Sequence, residues 1–205
     1  MTELLDGGRA TGGPGIEPRW TMSAKEGVGT AYAASSRLWY TTSAGIVNEV
    51  YYPTIDTPQT RDLQYLVTDG STFFHDERRH TASETGPLDG RSLGYRIVNE
   101  DPGGRYRIEK ELFSDPGAPC LLLRTRFEPR EDLADALRLY VLLAPHLEVG
   151  GRHNDGAVAR VAGRTLLTAH RGGTWLALGA TLPFRRTSCG FVGATDGWTD
   201  LSDDF

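Results

Sequence analysis

The 205-residue chain has two cysteines, Cys120 and Cys189. That count excludes a disulfide framework, and without a CxxC or paired Cys/His spacing no structural zinc site is expected. Cys120 in PCLLL and Cys189 beside a glycine read as free thiols, a single bridge being the alternative. Long apolar runs are missing too, and none approaches the ~18–20 residues that a membrane span needs. The start, MTELLD, has neither a basic n-region nor an h-region, so no signal peptide is visible and a cytoplasmic location is expected, or a secreted one if a leader has been trimmed. Basic residues are outnumbered, 22 Lys and Arg against 27 Asp and Glu, for a net charge of −5. A nucleic-acid footprint is therefore not expected. No Walker A or GxGxxG motif occurs, which leaves nucleotide binding without support. No N-x-S/T sequon is present either.

What is plentiful is punctuation. Twenty-five glycines and 11 prolines favour short elements joined by turns over long helices. Residues 1–14 are Gly-rich and aperiodic and read as a flexible tail; the domain proper is expected over 15–205. Beyond it, Leu63/Tyr65/Val67, Leu93/Tyr95/Ile97, Tyr106/Ile108/Leu112 and Leu121/Leu123/Phe127 alternate with polar residues. A period of two marks strands with one face on a core and a charged face open to water. Turn signals stand between them at 99–104 and 115–117, and AVARV–AG–RTLLTA reads as a tight hairpin. The segment Glu131–Leu143 fits both periods. Pro129 before it and Pro145 after it favour a loop and then a strand from about Leu137. Thr195-Asp196-Gly197-Trp198 has the chemistry to cap one helical turn. The chain is thus expected to be all-β, a sandwich or barrel. No shift in composition marks a second domain.

Three groups of residues carry chemistry. Trp39, Tyr40, Tyr51 and Tyr52 lie near Asn48, Glu49 and Asp56, a combination suited to sugar rings and their hydroxyls, although aromatics filling a core explain Trp39, Tyr40 and Tyr51 as well. Pro53 should end the strand and put Thr54–Asp56 on a loop. Second, His146 and His153 flank a glycine-containing loop with Glu148 and Asn154, a site or a conformationally demanding connection. Third, the run from His75 to His80 holds two histidines and two acids but reads as a solvated loop. Glycoside hydrolysis needs two carboxyls roughly 5 to 10 Å apart, one with a raised pKa, and no spacing here selects such a pair.

Several motifs in order resemble the start of bacterial glucoamylases and glucodextranases, glycoside hydrolase family 15: Pro18-Arg19-Trp20, Lys25–Thr30 (KEGVGT), Glu49–Pro53 (EVYYP), Arg61–Gln64 (RDLQ), Leu139–Pro145 (LYVLLAP) and Gly190–Leu201. The resemblance runs from about Gly15 onward. It implies a large antiparallel β-sandwich of the galactose-mutarotase-like supersandwich type. It also implies that the sandwich continues somewhat past Phe205 and that a catalytic (α/α)6 barrel follows. That barrel would hold both acids of an inverting, exo-acting attack on α-glucosidic bonds. On this basis the chain is expected to be non-catalytic, with no cofactor and no metal. Its expected partners are its own barrel and the parent's α-glucan or oligosaccharide substrate, with no nucleic acid and no membrane. By analogy with related barrel enzymes, Tyr51, Tyr52, Pro53 and Asp56, or His146, His153 and Asn154, would face barrel or substrate. Two other readings share the fold: a stand-alone carbohydrate-binding module, and a mutarotase-like sugar epimerase using His146 or His153.

Overall fold

The computed structural model describes residues 2–33 and 35–203. The strands in chain order are β1 (Thr2–Arg9), β2 (Gly27–Thr30), β3 (Trp39–Ser43), β4 (Ile46–Tyr51), β5 (Thr60–Thr68), β6 (Phe74–Asp76), β7 (Ala82–Pro87), β8 (Tyr95–Glu100), β9 (Tyr106–Ser114), β10 (Leu121–Pro129), β11 (Arg138–Pro145), β12 (Asp155–Val161), β13 (Arg164–Arg171) and β14 (Thr174–Leu178). Among the described residues helix is confined to α1 (Glu77–His80), α2 (Gly197–Asp203) and two 3-10 turns. The all-β expectation holds, but the chain divides into two compact units, one of residues 20–144 and one of residues 1–19 with 145–204. The even composition gave no sign of this division.

The unit of residues 20–144 is a two-sheet sandwich. One sheet has the order β10-β9-β8-β7; the other runs β11-β5-β4-β3-β2, with β6 on β5. Alternation explains β9: Tyr106, Ile108 and Leu112 point inward, where Val67, Tyr106, Ile108 and Leu137 form a buried cluster. Its other face is charged and open, as expected. There Arg96–Glu109 (2.6 Å), Arg107–Glu128 (2.9 Å) and Arg124–Glu111 (3.0 Å) pair across neighbouring strands, and Arg107–Glu109 (2.9 Å) pairs along β9 itself. Such exposed pairs each contribute about 0–1 kcal/mol and mainly keep the face wet. The parity of β9 also puts Lys110 on the inner face.

The second sheet departs from the one-face-open pattern. In β4 and β5, Asn48, Asp62 and Gln64 are buried along with the apolar residues. For Asn48 and Asp62 the cover is the irregular chain before β2. Asn48 Nδ2 donates to the carbonyls of Met22 and Ala24 (3.3 Å each), Thr21 Oγ1 bonds Asp62, and Arg61 Nε pairs with Asp62 (3.1 Å). Alternation in β5 marks pleat parity but not exposure, because a distant segment covers Asp62.

The stretch His75–His80 is not a solvated loop. Asp76 caps α1 by accepting from Arg79 N (2.8 Å), and Asp76 and Glu77 are both buried. Glu77 reaches Lys110 Nζ (2.5 Å), which also donates to Gly45 O (2.5 Å). The sequence reading missed Glu77 because two basic residues follow it and its partner lies 33 positions away.

The other unit carries the sheet β1-β12-β13-β14. Its hairpin turns at Ala162 and Gly163, with φ of 49° and 78°, the doubly left-handed geometry of a type I′ turn. The Gly-rich start, read from sequence as a flexible tail over residues 1–14, is in the structure a strand over Thr2–Arg9 paired antiparallel to β12. Residues 11–16 then run against 190–195: Ile16 N donates to Val192 O (2.9 Å) and Thr195 Oγ1 to Thr11 O (2.6 Å). Glycine serves close approach here, since a Cβ on Gly15 would stand 2.5 Å from Val192 O and one on Gly190 1.8 Å from Thr195 O. Asp196 Oδ1 accepts from the N–H groups of Trp198 (3.0 Å) and Thr199 (3.3 Å) at the start of α2, the capping role expected of it. Cys120 and Cys189 are free thiols.

Candidate functional site

The aromatic stretch separates into core and rim. Tyr40 is 0% exposed, and its hydroxyl donates to Leu112 O (3.1 Å) of the facing sheet and to Leu93 O (2.9 Å) in the connection before β8. It is a core residue and offers nothing to a ligand. On the other side of the sheet Glu49 gathers donors at one carboxylate oxygen: Tyr51 OH (2.6 Å), Lys25 Nζ (2.8 Å) and Thr41 Oγ1 (3.2 Å). Burial, and then the Glu49 carboxylate, push the Tyr51 hydroxyl up to about 12. Near neutral pH it is therefore a fixed donor and not a base.

The strand ends at Tyr51, as Pro53 predicted, and a tied loop follows. Tyr52 N donates to Thr57 O (3.1 Å), Gln59 Nε2 to Tyr52 O (2.6 Å), and Gln59 N to Val50 O (2.7 Å). The Thr54 and Thr57 hydroxyls lie 2.9 Å apart. Arg37 sits over the Tyr52 ring, 5.5 Å from its centroid. Held in this way, the loop presents Ile55 and Asp56 as an exposed tip while Tyr51, Tyr52 and Pro53 stay half-buried. Hydrogen bonding, from Thr54 first, holds the Asp56 carboxyl below its ordinary value. The tip is a stable anion beside an apolar side chain, which suits docking better than proton transfer.

His146, His153 and Asn154 belong to the other unit. His146 is 6% exposed, whereas His153 lies open to solvent. Gly151 packs against the His146 imidazole so closely that a Cβ there would stand 2.5 Å from Nε2. Asn154 Nδ2 donates to Gly150 O (3.2 Å), and Arg171 Nη1 to Leu147 O (3.1 Å). Glu148, Val149 and His153 have φ of 53°, 62° and 59°. Left-handed backbone at a β-branched valine is uncommon and costs about 1–3 kcal/mol. These bonds hold a demanding connection in place. The buried histidine has no open approach for a sugar, and the structure does not favour it as a proton donor.

Carboxyl chemistry points the same way. A glycosidase acid needs a raised pKa together with access to the leaving oxygen. Glu77 is pushed up by burial, but it is enclosed with Lys110, whose ammonium burial pushes down. A shallow surface cleft of about 260 Å³ is lined by Glu100, Asp101, Arg107 and Glu128 among others. There Arg107 engages Glu100 (3.3 Å) and Glu128 (2.9 Å), and Arg105 takes Asp101 through two bonds of 2.6 and 2.9 Å. Those bonds hold Asp101 well below the usual carboxylate range. Among the described residues no group of three His, Cys, Asp or Glu has metal-binding geometry, and no helix is long and apolar enough to cross a membrane.

Fold and side-chain chemistry together define a class: an antiparallel β-sandwich protein in which the carboxyls of the cleft described above are ion-paired and not acid-tuned. Residues 10–205 match the family described as glucodextranase, domain N, and the chain belongs to that family. A glucoamylase from Clostridium sp. (strain G0005) is 37% identical over 195 residues, covering 95% of this chain and 28% of that protein. The crystal structure of a bacterial glucoamylase complexed with acarbose superposes with a TM-score of 0.96 at 35% identity, over 100% of this chain and 30% of that one. The chain therefore spans less than a third of the length of these relatives, and in them the matched segment is part of a longer polypeptide.

Proposed function

We propose that this chain serves as the non-catalytic amino-terminal sandwich of an exo-acting, inverting α-glucan hydrolase of the glucoamylase or glucodextranase type. It packs on a catalytic (α/α)6 barrel and supports it. The observation that carries the reading is the end-to-end match to glucoamylases of which the chain covers only 28–30%. The state of the carboxyls agrees: those that are reachable in the cleft are tied to arginines, and Glu77, whose pKa is raised, is sealed. Within this reading the tied loop bearing Tyr51, Tyr52, Pro53 and Asp56 faces the barrel. Its internal bonds keep the tip rigid, which lowers the entropy lost on docking. For His146, His153 and Asn154 the bonding favours a framework role in their loop.

The test uses the full-length natural protein. Tyr52→Ala and Asp56→Ala should each lower its melting temperature or its rate of glucose release from maltodextrin, as truncations at a packed contact do. If both quantities stay unchanged in both variants, the loop is not the contact. Glucose release by the purified 205-residue chain alone would overturn the non-catalytic assignment.

A further inference from the structure

One row of side chains in the unit of residues 1–19 and 145–204 plays no part in that reading. Asp155 on β12 is directly opposite His170 on β13, and His170 is directly opposite Trp175 on β14. Cross-strand partners share a face of the sheet, so the three stand side by side. The Trp175 indole is 67% exposed. It stacks on the His170 imidazole with ring centroids 4.4 Å apart and planes 27° apart. His170 Nε2 is 3.7 Å from Asp155 Oδ2, and the Asp155 side chain is 71% exposed. A separation of 3.7 Å is too long for a hydrogen bond, which leaves the carboxylate free to accept from another hydroxyl.

An isolated exposed tryptophan needs no explanation. This one differs because its plane is fixed. The imidazole backs it, and the ends of its hairpin are tied down: Thr174 Oγ1 donates to Glu148 Oε1 (3.0 Å) and Arg171 Nη1 to Leu147 O (3.1 Å). At about 4.8 Å between neighbouring strands, the row is about 10 Å long, the length of two linked pyranose rings. An indole face suits the C–H face of a pyranose, and a carboxylate with an imidazole beside it suits vicinal hydroxyls. A neutral, polyhydroxylated ligand is favoured, because the row offers one acceptor and one ring nitrogen but no cluster of like charge. The geometry points to Trp175, His170 and Asp155 as a surface-binding site for two consecutive glucose units of an α-glucan. The site lies outside the residues assigned above to the barrel contact. The glucan as ligand rests on the proposed hydrolase function; the position of the site does not.

The experiment titrates the full-length protein with β-cyclodextrin, which has no chain end for an exo-acting active site, and follows its retardation in gels containing amylopectin or dextran. Wild type should bind with a dissociation constant in the millimolar range and be retarded in at least one gel. Trp175→Ala should weaken both signals about tenfold and Asp155→Asn several-fold. Trp175→Phe should keep most of the affinity, and hydrolysis of maltose should be unchanged in all three. The inference is overturned if wild type shows neither binding nor retardation, or if Trp175→Ala stays within twofold of it. It is equally overturned if Trp175→Ala lowers the melting temperature and leaves affinity intact, since the row would then be a packing contact. Trp175-dependent retardation in a protein that hydrolyses no α-glucan would sink the proposed function and leave the site standing.

Discussion

Lys110→Met tests the clamp between the two sheets of the 20–144 sandwich. The Lys110 and Glu77 side chains are 3% and 1% exposed, and their charged atoms are 2.5 Å apart. Removing the ammonium leaves the Glu77 carboxyl with its bond from Tyr65 N (2.7 Å) and takes the donor from Gly45 O. Breaking one side of a buried pair costs about 3–5 kcal/mol. At about 2–4 °C per kcal/mol for a chain of this size, the melting temperature should fall by about 6–20 °C. The deficit should also depend on pH in a defined direction. Burial already raises the Glu77 carboxyl above its ordinary 4.5, and Lys110 opposes that rise; without the lysine it climbs further. Above pH 4.5 the unfolded chain releases this proton while the folded variant retains it. Folding then takes up a proton, and stability falls as pH rises towards the folded-state pKa. Thermal melts followed by circular dichroism at pH 5, 6.5 and 8 should show the gap to wild type widening with pH. Glu77→Gln combined with Lys110→Met removes both charges and should be less destabilised than Lys110→Met alone. A deficit under about 1 kcal/mol, or one that is flat between pH 5 and 8, would refute the buried clamp.

Other outcomes follow from geometry described above. Tyr40→Phe removes a hydroxyl that bonds the carbonyls of Leu93 and Leu112 and should cost about 1–1.5 kcal/mol in urea unfolding; no change would mean that water replaces it. Gly29→Ala places a Cβ 2.2 Å from the Tyr40 ring and should destabilise by about 1–3 kcal/mol, a loss relieved when Tyr40 is also shortened to leucine. The Asp101 carboxyl is depressed by its bonds from Arg105, so its stabilisation is present above the unfolded value near 3.8 and is lost as pH falls below it. Wild type should therefore lose stability below about pH 4 more steeply than Asp101→Asn, and parallel acid titrations would contradict the assignment.

The sequence made some of this legible. Strand β9 and the first part of β10 alternate because one face meets the core and the other meets water. The turn at Ala162-Gly163 and the stop at Pro53 were legible because backbone geometry there depends on local residue type. What escaped was set by partners far along the chain. Asp62 of β5 is covered by the segment holding Thr21, β1 finds its register on β12, and Glu77 of α1 is paired with a lysine on β9. Lys110 could have been found, since its parity puts it among Tyr106, Ile108 and Leu112, and a lysine on an apolar face implies a buried acid. Of the candidate residues, Tyr40 proved to be core, and Thr54–Asp56 lie on a loop after the strand end that Pro53 marked. The row Asp155–His170–Trp175 could not be read from sequence, because it exists only once the register of three strands is set.

The place of β1 at the rim of its sheet has a practical consequence for anyone trimming this protein. A Gly-rich leader invites deletion before expression or crystallisation. Removing residues 2–9 would strip β12 of its neighbour and leave its outer edge over residues 157–161 unpaired. Open ladders of that kind recruit strands from other molecules, so a shortened version should be the less soluble one.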